Sequence, residues 1–387
     1  MKGVADPILI AVVIILVTAS LVIIFTASSA RAYELKNNSA YYLYLQFIRV
    51  IIGVVFLLIL SRLNYRKLKY AGHLLLIVSL AALIYILIPG AVEEVKGARR
   101  AIIIFGISFR PSELARFAVI IYLASSVSYW GEELDNWGGY LKRLIIILGI
   151  AGLIIFQPDL STSMMFTAIS LAVLYIGGAK MRHLLCTGFL LIPVIWYKIA
   201  HSHYQWDRII QYRDSLLHPE KTGYQVKQSL IGLGDGGIIG LGLGGSNQKQ
   251  FYLPEPFSDF VFSILGEEFG FLGTSAAIIL FLVIAWRGII IARNAPDKFG
   301  FILAAGLTTS ITLYAFVNLC VVTGILPATG LPLPFLSYGG CSLIINLAMV
   351  GILLNISRQQ GVKIKDSRYK KPAAKPNKNS GKYLLPK

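Results

Sequence analysis

Uninterrupted apolar runs of about 17–25 residues recur along nearly the whole chain, and no other feature limits its fold as strongly. Away from water, a segment of that length satisfies its own backbone only as a helix. Ten such runs stand at roughly 8–28, 43–61, 71–89, 111–128, 142–157, 160–178, 183–200, 259–286, 299–323 and 339–356. Hydrophobic residues make up 56% and charged residues 14% of the 387, too few charges to cover a soluble surface of this size. The expected class is all-α: a polytopic membrane domain of about ten spans over residues 1–357. A large loop, about 201–258, joins spans seven and eight. Residues 358–387 form a basic tail rich in Lys, Pro and Asn, expected to be disordered.

Charge sets the expected orientation. With a cytoplasmic N-terminus, 22 of the 36 basic residues fall inside, from Lys2 through Arg62, Arg66 and Arg287 to the lysines of the tail. The positive-inside rule then places both termini in the cytoplasm and the 201–258 loop outside. The first run resembles a signal peptide, but Ala5-Asp6-Pro7 is no basic leader, so a retained helix is expected. Cys186, Cys320 and Cys341 lie in apolar runs without metal or disulfide spacing. The net charge of +17 is read as topogenic and lipid-attracting, with no role for nucleic acid.

Several polar groups interrupt the apolar pattern at the outer side. Lys96, Arg99, Arg100 and Arg110 break the local charge rule, and Arg49 and Arg116 fall at or inside spans. Arginine there suits a phosphate-bearing headgroup, because its planar fork matches phosphate; for any one of them snorkelling or pairing with Glu93, Glu94 or Glu113 is the plainer account, but for the cluster phosphate is favoured. Glu113 and Arg116 stand three apart on one helical face, an expected internal ion pair. Ser112 precedes them behind a helix-starting Pro111. Gln157-Pro158-Asp159 separates two runs, which predicts a tight hairpin with Asp159 as a cap.

The densest signal is Gly223–Gly270. Eight glycines lie between Gly232 and Gly245, four of them (232, 236, 240 and 244) at a spacing of four. Such a face permits close backbone approach, and a re-entrant or interfacial segment packed on the bundle is expected. No strand precedes the two GxGxxG matches within it, so they signal no nucleotide. Asp259 opens the next run, and on a continuous helix Ser263, Gly266, Gly270 and Gly273 share its face while Glu267 and Glu268 point elsewhere. It reads equally as an N-cap carboxylate and as a general base at the membrane surface. Between the last two runs, Pro327, Pro332 and Pro334 lead into Ser337-Tyr338-Gly339-Gly340; irregular backbone at that depth must be buried or line a cavity.

These stretches together resemble the SEDS family (shape, elongation, division, sporulation), typified by FtsW and RodA. The matches are GARR (Gly97–Arg100), FRPSELAR (Phe109–Arg116), QPDLST (Gln157–Thr162), GYQVKQSL (Gly223–Leu230), the run from Gly242 to Gly270, and LPLPFLSYGG (Leu331–Gly340). The wording around Gln228 and Ser246 is closer to the division or sporulation branch than to the elongation branch. Arg110 and Arg116 depart from the family's usual FQPSELAK, and Phe257 and Ser258 from its more usual residues.

The resemblance implies a peptidoglycan glycosyltransferase that polymerises lipid II into glycan strands at the outer face of the cytoplasmic membrane. Asp259 matches the family's catalytic aspartate. Implied for substrate binding are Arg99, Arg100, Ser112, Glu113, Arg116, Gln157, Asp159, Gln228, Ser246, Lys249, Glu255, Ser337 and Tyr338. A free aspartate has a pKa of about 3.9, so a base at this position needs apolar surroundings. Implied partners are lipid II, the nascent strand, a class B penicillin-binding transpeptidase, other division or elongation proteins and membrane lipids. A flippase for the same precursor, or a scaffold for a transpeptidase, are the competing readings. No histidine or carboxylate cluster specifies a cation site, so a need for Mg2+ or Mn2+ stays open and no cofactor is assigned.

Overall fold

The structure is a computed structural model that describes residues 3–92, 100–104, 107–218, 222–246, 248 and 257–360. Twelve α-helices dominate the described residues: α1 (Pro7–Lys36), α2 (Tyr41–Arg62), α3 (Leu68–Leu87), α4 (Pro111–Trp130), α5 (Trp137–Phe156), α6 (Leu160–Ile176), α7 (Met181–Ala200), α8 (His203–Leu217), α9 (Tyr224–Asp235), α10 (Val261–Arg293), α11 (Lys298–Val322) and α12 (Gly340–Arg358). Helices stand at all ten expected positions. Eight of them are long and apolar enough to cross a membrane; the other two are α4, which carries Glu113 and Arg116, and the 17-residue α6.

Local chemistry sets the helix ends. Asp6 accepts a hydrogen bond from the Leu9 N–H (3.0 Å) with Pro7 in the first helical position, so α1 begins with both a side-chain cap and a preset φ. Asp159 accepts from the Thr162 N–H (3.1 Å) and starts α6 directly after α5, giving the expected hairpin. Asp297 accepts from the Gly300 N–H (2.7 Å) and starts α11.

The chain runs back and forth, so each helix pair joins at one of two ends. One end holds the N-terminal residues and the end of α12, where the Gly3 N–H donates to the Arg358 carbonyl (2.8 Å). At the centre stand α12 and α11, whose apolar windows are 89% and 61% buried; α7, at 11%, lies at the periphery. The principal contacts pair α12 with α2, α3 with α4, and α10 with α11.

One expectation is corrected here and two details are added. Within the expected 201–258 loop, the described residues form α8, α9 and glycine-rich turns. A short antiparallel hairpin, β1 (Ile102–Ile104) with β2 (Ile107–Phe109), accompanies the expected all-α architecture, pairing Ile103 with Ser108. The correction concerns α10, which is not one continuous helix. Gly270 takes φ 64° and ψ −160°, so two helices meet there at a break. The backbone of the glycine-rich segment lies in that break. The Leu241 and Gly242 N–H groups donate to the Glu267 and Glu268 carbonyls (2.9 and 3.0 Å), and the Phe271 and Leu272 N–H groups donate to Gly237 and Ile238 (2.9 and 3.2 Å). A Cβ on Gly270 would lie 2.5 Å from the Gly240 nitrogen, which explains the glycine on both sides of the seam.

Candidate functional site

At the end opposite the termini, Asp259 sits half-buried just ahead of α10. The helix itself begins at Val261 with Phe260 in the capping position and no side-chain cap, so the N-cap reading of Asp259 is corrected. Its Oδ1 accepts a hydrogen bond from the Ser258 hydroxyl (2.9 Å). Gly330 holds φ 72° beside the other carboxylate oxygen, and a Cβ there would stand 3.4 Å from Oδ2. Asn318 of α11, 1% exposed, fixes the segment's main chain: its Nδ2 donates to the carbonyls of Asp259 (2.9 Å) and Leu331 (2.7 Å). One amide therefore joins the aspartate's segment to the proline-rich connection between α11 and α12.

Asn318 is the last rung of a polar ladder. Ser310, Tyr314 and Asn318 recur every four residues and so line one face of α11. The lower rungs hold the Glu113–Arg116 pair. Arg116 Nη2 donates to Glu113 Oε2 (2.6 Å) and to Asn346 Oδ1 of α12 (3.2 Å), and Nη1 donates to the Ser310 hydroxyl (3.1 Å). The guanidinium carbon lies 4.0 Å from the Tyr314 ring centre. Arg116 is 1% exposed, so it ties α4, α11 and α12 together instead of facing a ligand. Its two terminal nitrogens serve this framework, while its Nε has no hydrogen-bond partner among the described residues. Glu113, Arg116, Asp159 and Arg110 all lie within electrostatic reach of Tyr314. Ser112 is buried in the first turn of α4.

The remaining expected residues fall into three groups. Arg100 Nη2 donates to the Pro158 carbonyl (2.7 Å), and Gln157, buried, donates from Nε2 to the Leu83 carbonyl (3.1 Å), so both brace the α5–α6 hairpin that carries Asp159. Ser337 and Tyr338 belong to the α11–α12 connection: the Ser337 hydroxyl accepts from the Leu333 N–H (2.8 Å), and the Tyr338 N–H donates to the Phe257 carbonyl (2.8 Å), two residues before Asp259. Gln228 lies half-buried on α9 next to Ser229, whose carbonyl accepts from the Ser263 hydroxyl (2.8 Å). Arg99, Lys249 and Glu255 lie outside the described residues, as do Lys96, Glu93 and Glu94.

Two buried carboxylates next to the site escaped the sequence reading. Glu267 and Glu268 are buried, and both hold the glycine-rich segment. Glu267 accepts from the Ser246 hydroxyl and the Gln248 N–H (3.4 Å); Glu268 accepts from the Gly244 N–H (3.1 Å) and, on α1, from the Thr26 hydroxyl (2.9 Å). Both precede the break at Gly270, so the break does not alter their face; what the sequence does not reveal is that the glycine segment folds onto them. Among the described residues, no three His, Cys, Asp or Glu side chains group as metal ligands.

Comparison with known proteins finds a family and a shared overall fold. The model of the FtsW/RodA/SpoVE cell cycle protein family matches residues 6–361. A probable peptidoglycan glycosyltransferase FtsW of Trichlorobacter lovleyi is 38% identical over 353 residues, 91% of this chain and 93% of the relative. Stage V sporulation protein E of Bacillus subtilis is 35% identical over 354 residues, 91% of this chain and 97% of its own. Among solved structures, a chain of a peptidoglycan synthase complex that coordinates polymerization and crosslinking superposes with a TM-score of 0.75 at 27% identity, covering 92% of this chain and 99% of that one. The rod shape determining protein RodA of Thermus thermophilus gives 0.68 at 25% identity, covering 92% and 98%.

Proposed function

The chain belongs to the FtsW/RodA/SpoVE family of cell cycle proteins, and from that premise we propose that it is a peptidoglycan glycosyltransferase of the membrane that polymerises lipid II into glycan strands. The observation that carries the reading is Asp259: a carboxylate at the head of a helix that it does not cap, with its main chain pinned by Asn318. Asp259 takes the proton from the acceptor sugar's hydroxyl as that oxygen attacks the anomeric carbon of the growing strand. The bond to the polyprenyl diphosphate breaks, and the diphosphate leaves with the electron pair. Cations positioned for that developing charge are worth most in a site shielded from water. Arg99 and Arg100 are assigned to it; Glu113 and Arg116 are assigned to the framework that holds α4 against α11 and α12.

Both termini are placed in the cytoplasm and the Asp259 end outside, on the 22 basic residues which that orientation keeps inside. In a background without Cys186, an impermeant thiol reagent is expected to reach Gln211→Cys and not Lys378→Cys in intact cells; the inverse pattern overturns the orientation. A class B penicillin-binding transpeptidase is the proposed partner, supported by the likeness to a synthase complex that couples polymerization to crosslinking. Similarity to proteins named FtsW and SpoVE favours the division or sporulation branch. The deciding experiment gives purified lipid II to the purified chain, alone and with the co-purified transpeptidase. Glycan strands are expected; lipid II transport without polymer would favour a flippase.

A further inference from the structure

Two polar side chains on α2 serve no part of the framework described so far. Gln46 is completely buried, and neither its Nε2 nor its Oε1 has a hydrogen-bond partner among the described residues. Arg49, one turn on and 4% exposed, has Nε and Nη1 equally unmatched, and no carboxylate among the described residues pairs with it. A spacing of three puts both on one helical face. Counted from Tyr41, Arg49 lies about 12 Å along the helix, at membrane depth.

What Arg49 does touch is an aromatic wall. Its guanidinium carbon is 4.2 Å from the Tyr338 ring centre. Tyr338 in turn meets Tyr42 edge-on at 5.5 Å and Phe257 at 5.4 Å. Arg31 lies 6.0 Å from the Phe257 ring centre. A cation–π contact offsets only part of the loss when a guanidinium leaves water. A buried charge without a counter-ion strongly destabilises a fold, so a site that keeps one is poised for an anion. The wall adjoins Asp259 through Phe257, whereas Arg100 braces the α5–α6 hairpin.

The geometry points to a membrane-embedded phosphate site formed by Gln46, Arg49 and Tyr338, which binds the phosphate of a lipid headgroup beside Asp259. Arg49 presents a guanidinium fork, Gln46 an amide donor and Tyr338 a phenol, a set that matches phosphate oxygens. The identity of the lipid rests on the proposed polymerase reading. Joining a lipid-linked strand to a lipid-linked sugar brings two polyprenyl diphosphates together, and the Arg99–Arg100 pair provides for one of them. The Gln46–Arg49 site provides for the other.

The test is binding, measured as the shift in thermal unfolding midpoint of the full chain in dodecyl maltoside. Undecaprenyl diphosphate, phosphatidylglycerol and the uncharged undecaprenol are titrated in turn. Arg99→Gln and Arg100→Gln are built into every protein so that only the second site reports. Undecaprenyl diphosphate is expected to stabilise this background and undecaprenol is not. Arg49→Met and Gln46→Leu should each weaken binding at least ten-fold while leaving the lipid-free midpoint unchanged or raised. Should Arg49→Met fail to fold, Gln46→Leu carries the test, since it removes a donor without altering charge. Arg49-dependent binding of phosphatidylglycerol at equal strength keeps the phosphate site and assigns it to a resident phospholipid. Wild-type affinity for both phosphate lipids in Arg49→Met and Gln46→Leu overturns the site, as does the absence of binding in the background itself. No sugar transfer is measured, so a chain that binds but makes no polymer refutes the polymerase reading and leaves the site standing.

Discussion

The two ends of the helical bundle treat buried polarity in opposite ways. At the end holding the termini, charges are matched across helices. Arg287 donates from Nε to Asp6 (2.8 Å), Arg66 donates from Nε to Asp297 (2.8 Å), Tyr65 adds its hydroxyl to the same carboxylate (2.8 Å), and Asn355 donates to the Leu60 carbonyl (2.9 Å). His183 and Gln360 are exceptions there. At the Asp259 end, Gln46, Arg49, Arg100 and the Asn318 side-chain oxygen all keep buried polar atoms without partners among the described residues. Each such atom costs about 1–3 kcal/mol. Folding alone does not select for that, whereas a polar substrate does. The contrast is between matched charges at one end and unmatched polar atoms at the other, which fits the chemistry proposed near Asp259.

Asp259→Asn gives the sharpest break. It preserves shape and the hydrogen bond accepted from Ser258, but it takes up no proton. Turnover of lipid II is expected to fall by about 10²–10⁴-fold with the unfolding midpoint unchanged. Polymerisation and thermal unfolding measured on one preparation check this, and a stable, fully active variant removes the general base.

Next in size is Arg116→Ala, which tests whether the Glu113–Arg116 pair belongs in kind with the end of matched charges. Removing one partner leaves an uncompensated buried charge, for an expected loss of about 3–5 kcal/mol. Pairing Arg116→Met with Glu113→Gln should recover most of it in a denaturation series. If the double variant is as unstable as Arg116→Ala, the pair is more than framework.

Gly330→Ala is expected to act on both properties. Left-handed backbone costs a side chain about 1–2 kcal/mol, and the added methyl stands at contact distance from Asp259. A drop in kcat exceeding what the stability change predicts, read from activity at several temperatures, distinguishes crowding of the carboxylate from simple unfolding.

The smallest effect lies at the opposite end. Burial raises the Asp297 carboxyl, but hydrogen bonds from Arg66, the Gly300 N–H and Tyr65 more than offset it, and the group ends below its ordinary value of 3.8. A carboxyl depressed on folding stabilises fully above its unfolded value and loses that contribution as pH falls through the depressed one. Asp297→Asn should therefore lower stability by about 1 kcal/mol at neutral pH. The gap to wild type should narrow below pH 3.8, as acid titration of the unfolding midpoint would report.

Hydropathy made the helices legible because a membrane span must be apolar for its whole length, whatever packs beside it. The α5–α6 hairpin was equally legible, since Asp159 is a cap and Pro158 a stop. What stayed hidden were features that leave no mark on hydropathy. The break at Gly270 does not interrupt the apolar run, so the faces counted from Asp259 do not hold beyond it; Glu267 and Glu268, ahead of the break, went unassigned because the folding of the glycine segment onto them leaves no mark on hydropathy either. The Ser310–Tyr314–Asn318 ladder was readable as polar residues four apart inside a span, a signal easily lost among threonines and serines that merely bond their own helix. Gln46 carried no signal alone; only its burial beside Arg49 gives it meaning.

The break in α10 has a consequence for how this site can vary. Along an unbroken helix, inserting or deleting one residue swings everything beyond it by about 100°. Asp259 lies on the far side of Gly270 from the long membrane-crossing half, and its bearing is fixed by Ser258, Asn318 and the backbone at Gly330. Phe271 and Leu272 below the break bond to the same glycine segment as Glu267 and Glu268 above it, so the seam clamps both halves like a collar. A change of length lower in α10, to suit a thicker or thinner bilayer, is expected to be taken up beyond that collar and not passed on to the carboxylate.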